Sequence, residues 1–160
     1  MIFPAILFYD VVVFVHVLAV VLAFGVVFTY PLLEAYVRRA SPGDLVVLHR
    51  FQVVLTRRLI TPSMVVVLVA GLYLALDRWS LGDGWISATF TILIVLFGLV
   101  GAVLTPTEKR LAELAEADRR SGGGPSEAYE AQARKHMTFG GLSLLLIVVA
   151  IFLMTVKPGA

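Results

Sequence analysis

The chain has 160 residues, 59% of them hydrophobic, a formal charge of +2 and no cysteine. Soluble domains are ordinarily about 45–50% apolar, so a membrane protein is the first reading, and a cysteine-free chain excludes disulfides, thiolate-bound zinc or iron–sulfur centres, covalent c-type haem and thiol nucleophiles. The basic residues sit beside apolar runs, where the positive-inside rule accounts for them without nucleic acid.

The first ten residues, MIFPAILFYD, have no basic start and place Asp10 where the apolar part of a signal peptide would lie. The apolar run then continues past signal-peptide length, which points to a retained membrane helix. Four runs reach the ~20 residues that span a bilayer's hydrocarbon core. They cover residues 11–33, 59–76, 85–104 and 137–156. Spanning segments must satisfy their own backbone hydrogen bonds, and none of the runs alternates polar with apolar residues, so these are helices rather than barrel strands.

Within the first run, Tyr9, His16, Ala23 and Tyr30 fall on one stripe at seven-residue steps, with Val13, Val20, Val27 and Glu34 along its edge. Small Ala19, Ala23 and Gly25 let another helix approach. The stripe is therefore expected to face the bundle. His16 is open to two readings: a ligand or proton-relay residue, because ionisable groups within spans are costly, or an interhelical hydrogen bond.

After the first run come Ser41-Pro42-Gly43-Asp44, with the outline of a capping box, and LVVLHRFQVVLTRRLITP, long enough for a helix feeding the second run. Glu34 is expected in an interfacial ion-pair network with Arg38, Arg57 and Arg58. His49 and His136 lie beside Arg50 and Lys135 and read as solvated or interfacial. Thr105-Pro106-Thr107-Glu108 reads as a capping box that restarts a polar helix after the third run, and Ser121-Gly122-Gly123-Gly124-Pro125 should stop it.

Orientation follows from charge. The connections 37–58 and 105–136 hold five and six of the 13 Lys and Arg residues, leaving Arg78 and Lys157 elsewhere. Both long connections are then cytoplasmic and both termini outside. Trp79 and Trp85 flank the short outer turn as belt residues. The expected architecture is an all-α integral membrane protein: one antiparallel four-helix bundle, N-out and C-out, with helical cytoplasmic extensions. Tyr73 and Met154 share the depth of His16, near the outer ends of the second and fourth helices. Either side chain can ligate haem iron, or serve only in packing. His136 lies ~20 Å away along the normal of a ~30 Å core, so a bis-histidine haem using that pair does not fit.

Other chemistries lack their residues: Gly122 to Gly124 has neither the strand nor the lysine of a phosphate loop, and there is no HExxH. Taken in order, HVLAVVLAFG, the TPS opening the second span, the Trp after the outer turn, the Pro before EKRL and the closing FLMTVKP carry a resemblance over nearly the whole chain. The chain resembles the bacterial predicted integral-membrane family of unknown function number 2269, itself distantly similar to the copper-resistance D membrane domain and the HemJ-type protoporphyrinogen oxidases. The resemblance implies a location in the bacterial cytoplasmic membrane. It also implies b-type haem at the matching histidine, His16; Met154 and Tyr73 are candidates by their depth alone. The chain departs from the HemJ-type pattern. Phe24 replaces the tryptophan after the histidine, and Tyr30-Pro31-Leu32-Leu33-Glu34 replaces a continuation that ends in histidine. Protoporphyrinogen oxidation is therefore not carried over. Three functional readings stay open: a membrane component for transport, metal handling or partnership with itself or another membrane protein; a haem-binding redox protein with His16 as axial ligand; and a structural bundle without ligand.

Overall fold

A computed structural model describes residues 8–159; most of the stretch MIFPAILFYD, read above against a signal peptide, lies outside them. Four helices follow one another: α1 (Phe8–Ala40), α2 (Leu45–Arg78), α3 (Gly84–Ser121) and α4 (Glu127–Val156). Each is long and apolar enough to cross a membrane, and no strand occurs among the described residues. The outward side chains fit lipid. Phe14, Val21, Val69 and Leu145 are all more than half exposed on the bundle surface, an arrangement that water would penalise and acyl chains would not.

The seven-residue stripe of α1 does face inward: His16, Ala23 and Tyr30 are buried and Tyr9 is half-buried, and Glu34 on its edge is buried as well. Ala19 and Ala23 pack with Met64 and Val67 of α2. The two helices run antiparallel in a readable register. The Arg78 guanidinium lies 3.8 Å from the Tyr9 ring centre, and seven residues further along each helix His16 meets Gly71. Packing then proceeds from α2 to α3 and from α3 to α4. At the aromatic end, Ala75, Trp85 and Ile86 pack with Leu153 and Met154. Trp79 and Trp85 meet edge to face at 5.2 Å, with the Lys157 ammonium 4.5 Å from the Trp79 ring centre. At the opposite, basic end the helices extend into a second core of Leu45, Val46, Leu48, Leu111, Ala115, Tyr129 and Ala133.

Two helix starts differ from the sequence reading. Thr105 caps nothing: α3 passes through it without a break, and its hydroxyl donates back to the Val100 carbonyl at 2.7 Å. Thr107 does the same to Val103 at 2.6 Å. The polar stretch continues the third helix because its apolar neighbours on the same face, Leu111 and Ala115, bury against α2. At Ser41-Pro42-Gly43-Asp44, a short 3₁₀ turn precedes α2 and Asp44 makes no side-chain cap. The triglycine stop holds: α3 ends at Ser121, and Gly122 takes φ +70°, where any other residue would be strained. Helix α4 then starts on a true cap, the Ser126 hydroxyl accepting from the Tyr129 amide at 3.3 Å.

Three of the four helices carry an irregular turn. In α1 it is a 3₁₀ turn at Val26–Thr29, in α2 a π turn at Thr56–Ile60, and in α3 a π turn at Leu99–Leu104. Each ends just before a proline: Pro31, Pro62 and Pro106. Proline cannot donate to the carbonyl four residues back and crowds it. The preceding turn relaxes by tightening or widening, and such irregular turns collect at functional sites.

Candidate functional site: a cleft between the first and fourth helices

Helices α1 and α4 are the outer pair of the packing order, and their backbones stay largely apart. At the basic end an ion pair joins them: Arg38 donates to Glu130 at 2.7 Å. Beside that tie lies a cavity of about 400 Å³, within the range of about 300–1,000 Å³ that holds small organic ligands. The irregular turns all border it, through Val27, Thr56, Ile60, Val100 and Leu104. On α4 its wall includes Gly140 and Gly141, where an added Cβ would meet nothing within 4 Å. These glycines therefore leave space rather than close a helix contact.

The cavity is apolar for most of its length and polar at one end. Glu34, Arg38, Thr56, Glu108 and His136 line that end, with Tyr30 about two turns back along α1 from Arg38. Three of them hold a buried atom without a hydrogen-bond partner: Tyr30 Oη, Arg38 Nη2 and His136 Nδ1. Buried polar groups ordinarily find partners, and each omission costs ~1–3 kcal/mol. Three omissions around one cavity fit a site waiting for polar atoms from outside the chain.

Charge is distributed unevenly there. Arg38 is held between two carboxylates, Glu34 at 3.2 Å and Glu130 at 2.7 Å, and its guanidinium also lies 5.1 Å from the Tyr129 ring centre. Glu108 is 3% exposed and accepts a single hydrogen bond, from the Thr56 hydroxyl at 3.2 Å. Burial pushes its carboxyl up to about 7, the Thr56 bond opposing the shift. Among the described residues it belongs to no ion pair.

Behind the cavity His49 is fully buried. It donates from Nδ1 to Gln52 Oε1 and accepts at Nε2 from the Tyr129 hydroxyl, both at 2.8 Å. Burial lowers its pKa, and that of His136. Of the expectation that these two histidines are solvated or interfacial, the solvated half is thus overturned. The basic connections fold back as helices and enclose them. A signal was present: His49, Gln52 and Thr56 are spaced by three and four residues, as are Tyr129, Ala133, His136 and Gly140, which places each set on one helical face.

The residues singled out from sequence occupy different surroundings. His16 is 8% exposed, its ring lying against Gly71 and the Val67 backbone of α2. Met154 packs with the Ala75–Trp85–Ile86 cluster. Tyr73, two residues from Gly71 and so about 200° round the helix, stacks edge to face on Phe8 and is 38% exposed. Among the described residues the structure shows no haem site. Nor do three His, Asp or Glu side chains gather to hold a metal ion among the described residues. Of the expected ion-pair network, Glu34 and Arg38 are joined, whereas Arg57 and Arg58 are exposed and outside any ion pair there. One packing prediction follows. A Cβ on Gly71 would stand 3.0 Å from His16 Cε1. Gly71→Leu should therefore cost ~1–3 kcal/mol, the usual range for overpacking. In a His16→Ala background it should cost much less. Equal losses in the two backgrounds, read as unfolding midpoints in detergent, would show that the ring is not the obstacle.

The sequence model of a predicted integral membrane protein family of unknown function, number 2269, matches residues 10–158. The chain belongs to that family. The match runs from the first turn of α1 to just past the end of α4. No curated protein and no solved structure matches the chain.

Proposed function

We propose that this protein binds an amphipathic small molecule that enters from the bilayer between α1 and α4. The single observation that carries the reading is the cavity itself, an apolar cleft ending in three buried, unpartnered polar atoms. A ligand with an apolar body and a polar end would satisfy both parts. Of the functional readings open from sequence, this one favours a membrane component that carries or senses a lipid-phase molecule over a haem protein centred on His16. The location is the bacterial cytoplasmic membrane. The basic connections 37–58 and 105–136 face the cytoplasm, so the polar end of the cavity lies at the cytoplasmic side.

Gly140→Leu tests the binding reading, because Gly140 lines the cavity and a Cβ added there meets nothing within 4 Å. Native mass spectrometry after extraction in mild detergent should find a bound small molecule on the wild type and none on the variant, at unchanged thermal stability. Equal occupancy would remove the cavity from the account. Orientation is tested separately with single cysteines at Gly82 and Gly123, both exposed, in a chain with no cysteine of its own. A membrane-impermeant maleimide should label the first in intact cells and the second only after lysis. The opposite pattern would invert the topology.

A further inference from the structure

We propose that the ligand of this cavity is a lipophilic cation, held by Glu108 as its counter-charge. The inference rests on the binding reading above and adds the chemical class of the ligand. It begins with the charges that reach the cavity. The positive charge of Arg38 is already met twice, by Glu34 and Glu130. Along α1, Arg38 stands eight residues beyond Tyr30, or ~12 Å nearer the basic end. The remaining acidic group at the polar end, Glu108, is 3% exposed, and among the described residues has the neutral Thr56 hydroxyl as its one hydrogen-bond partner and no cation of its own.

A buried carboxylate without a counter-ion is costly. Two things relieve it: a proton or a cation. A protonated amine or quaternary cation with an apolar body supplies the second and fills the apolar wall as well. Its donors, where it has them, reach Tyr30 Oη and His136 Nδ1, both in side chains 8% exposed and both unpartnered. An anionic amphiphile would instead meet Glu34 and Glu108 together, and Arg38 Nη2 alone would favour it. The charge balance thus selects the cation.

Proton and cation compete for one carboxylate. The titratable groups that line the cavity with Glu108 are Tyr30, Glu34 and Arg38 on α1 and His136 on α4; α2 presents the Thr56 hydroxyl. With the Glu108 carboxyl raised to about 7 by burial, it holds its proton in mildly acidic solution. Cation binding should strengthen as the pH rises through neutrality, because only the ionised form attracts the ligand.

The test compares two near-isosteric ions of opposite charge, radiolabelled tetraphenylphosphonium and tetraphenylborate, on protein in nanodiscs of neutral phosphatidylcholine. Tetraphenylphosphonium should bind saturably and at least tenfold tighter than tetraphenylborate. Its affinity should rise severalfold from pH 6 to pH 8. Glu108→Gln, close in shape to the original and able to accept from Thr56, should weaken the phosphonium at least tenfold and flatten the pH dependence, while its unfolding midpoint at pH 6 reports that the fold is kept. Equal or tighter binding of the borate, an unchanged Glu108→Gln, or no binding of either ion would overturn the inference. Gly140→Leu in the same assay separates it from the binding reading. Borate binding abolished by Gly140→Leu would leave the cavity as a binding site and remove only the cation; binding insensitive to Gly140→Leu would remove both.

Discussion

Arg38→Met should destabilise the protein by ~3–5 kcal/mol, the range found when one partner of a buried ion pair is removed. Glu34 is 6% exposed, and Arg38 is its ion-pair partner at 3.2 Å. Methionine keeps much of the side-chain volume and strands that carboxylate in the protein. The Glu130 half of the bridge, with its carboxylate side chain 36% exposed, adds little, since solvent screens it. The loss also has a geometric side, because Arg38 is the tie that joins α1 to α4 beside the cleft. Glu34→Gln in combination with Arg38→Met should recover most of the stability by removing the stranded charge. Unfolding midpoints in detergent, measured for the two single variants and the double variant, check the cycle. A loss below about 0.5 kcal/mol for Arg38→Met, the level of surface substitutions, would mean that water reaches Glu34 and that the pair is not buried in practice.

The sequence made the inner face of α1 readable because one residue in seven on that stripe is polar or small within an otherwise apolar run. His16, Ala23 and Tyr30 are buried as that spacing requires, with Tyr9 half-buried at the helix start. The polar helices at the basic end were harder to read. Thr105-Pro106-Thr107-Glu108 has the composition of a helix start, but a threonine hydroxyl can also bond the preceding turn, and Pro can sit inside a helix that widens before it. Tertiary packing decided between them: Leu111 and Ala115 gain burial against α2 only if α3 continues. The same packing encloses His49 and His136, which look solvated beside Arg50 and Lys135 when the neighbours in sequence are taken as the neighbours in space. The cleft itself had no local signature. It exists because α1 and α4 stay apart while Gly140 and Gly141 contribute no side chains to fill the gap, and both facts belong to the assembled bundle. Glycines on a membrane helix ordinarily suggest close approach; here they leave a void.

Glu108 should make stability depend on pH in a direction opposite to that of a salt-bridged acid. Burial raises its carboxyl from the usual 4.5 to about 7. The folded protein therefore binds a proton that the unfolded chain has already released between those two values. For a group raised in this way, the stabilising contribution is fully present below pH 4.5 and is lost as the pH rises through 7, where the folded protein must carry a buried carboxylate. A shift of this size corresponds to about 3 kcal/mol at ~1.4 kcal/mol for each pH unit. Glu108→Gln cannot titrate, and its amide oxygen can still accept from the Thr56 hydroxyl. Its stability relative to the wild type should be flat below pH 4.5, rise between 4.5 and 7, and level off above pH 8 at about 3 kcal/mol in favour of the variant. Glu113→Gln is the control, because the Glu113 side chain is 64% exposed and its replacement should give a nearly pH-independent difference. Unfolding midpoints of the three proteins at pH 4, 6 and 8 in one detergent decide the matter. A wild type and a Glu108→Gln variant that stay parallel across that range would show that solvent reaches the carboxylate, and the cavity end would then be wet and ordinary rather than a dry site with one uncompensated charge.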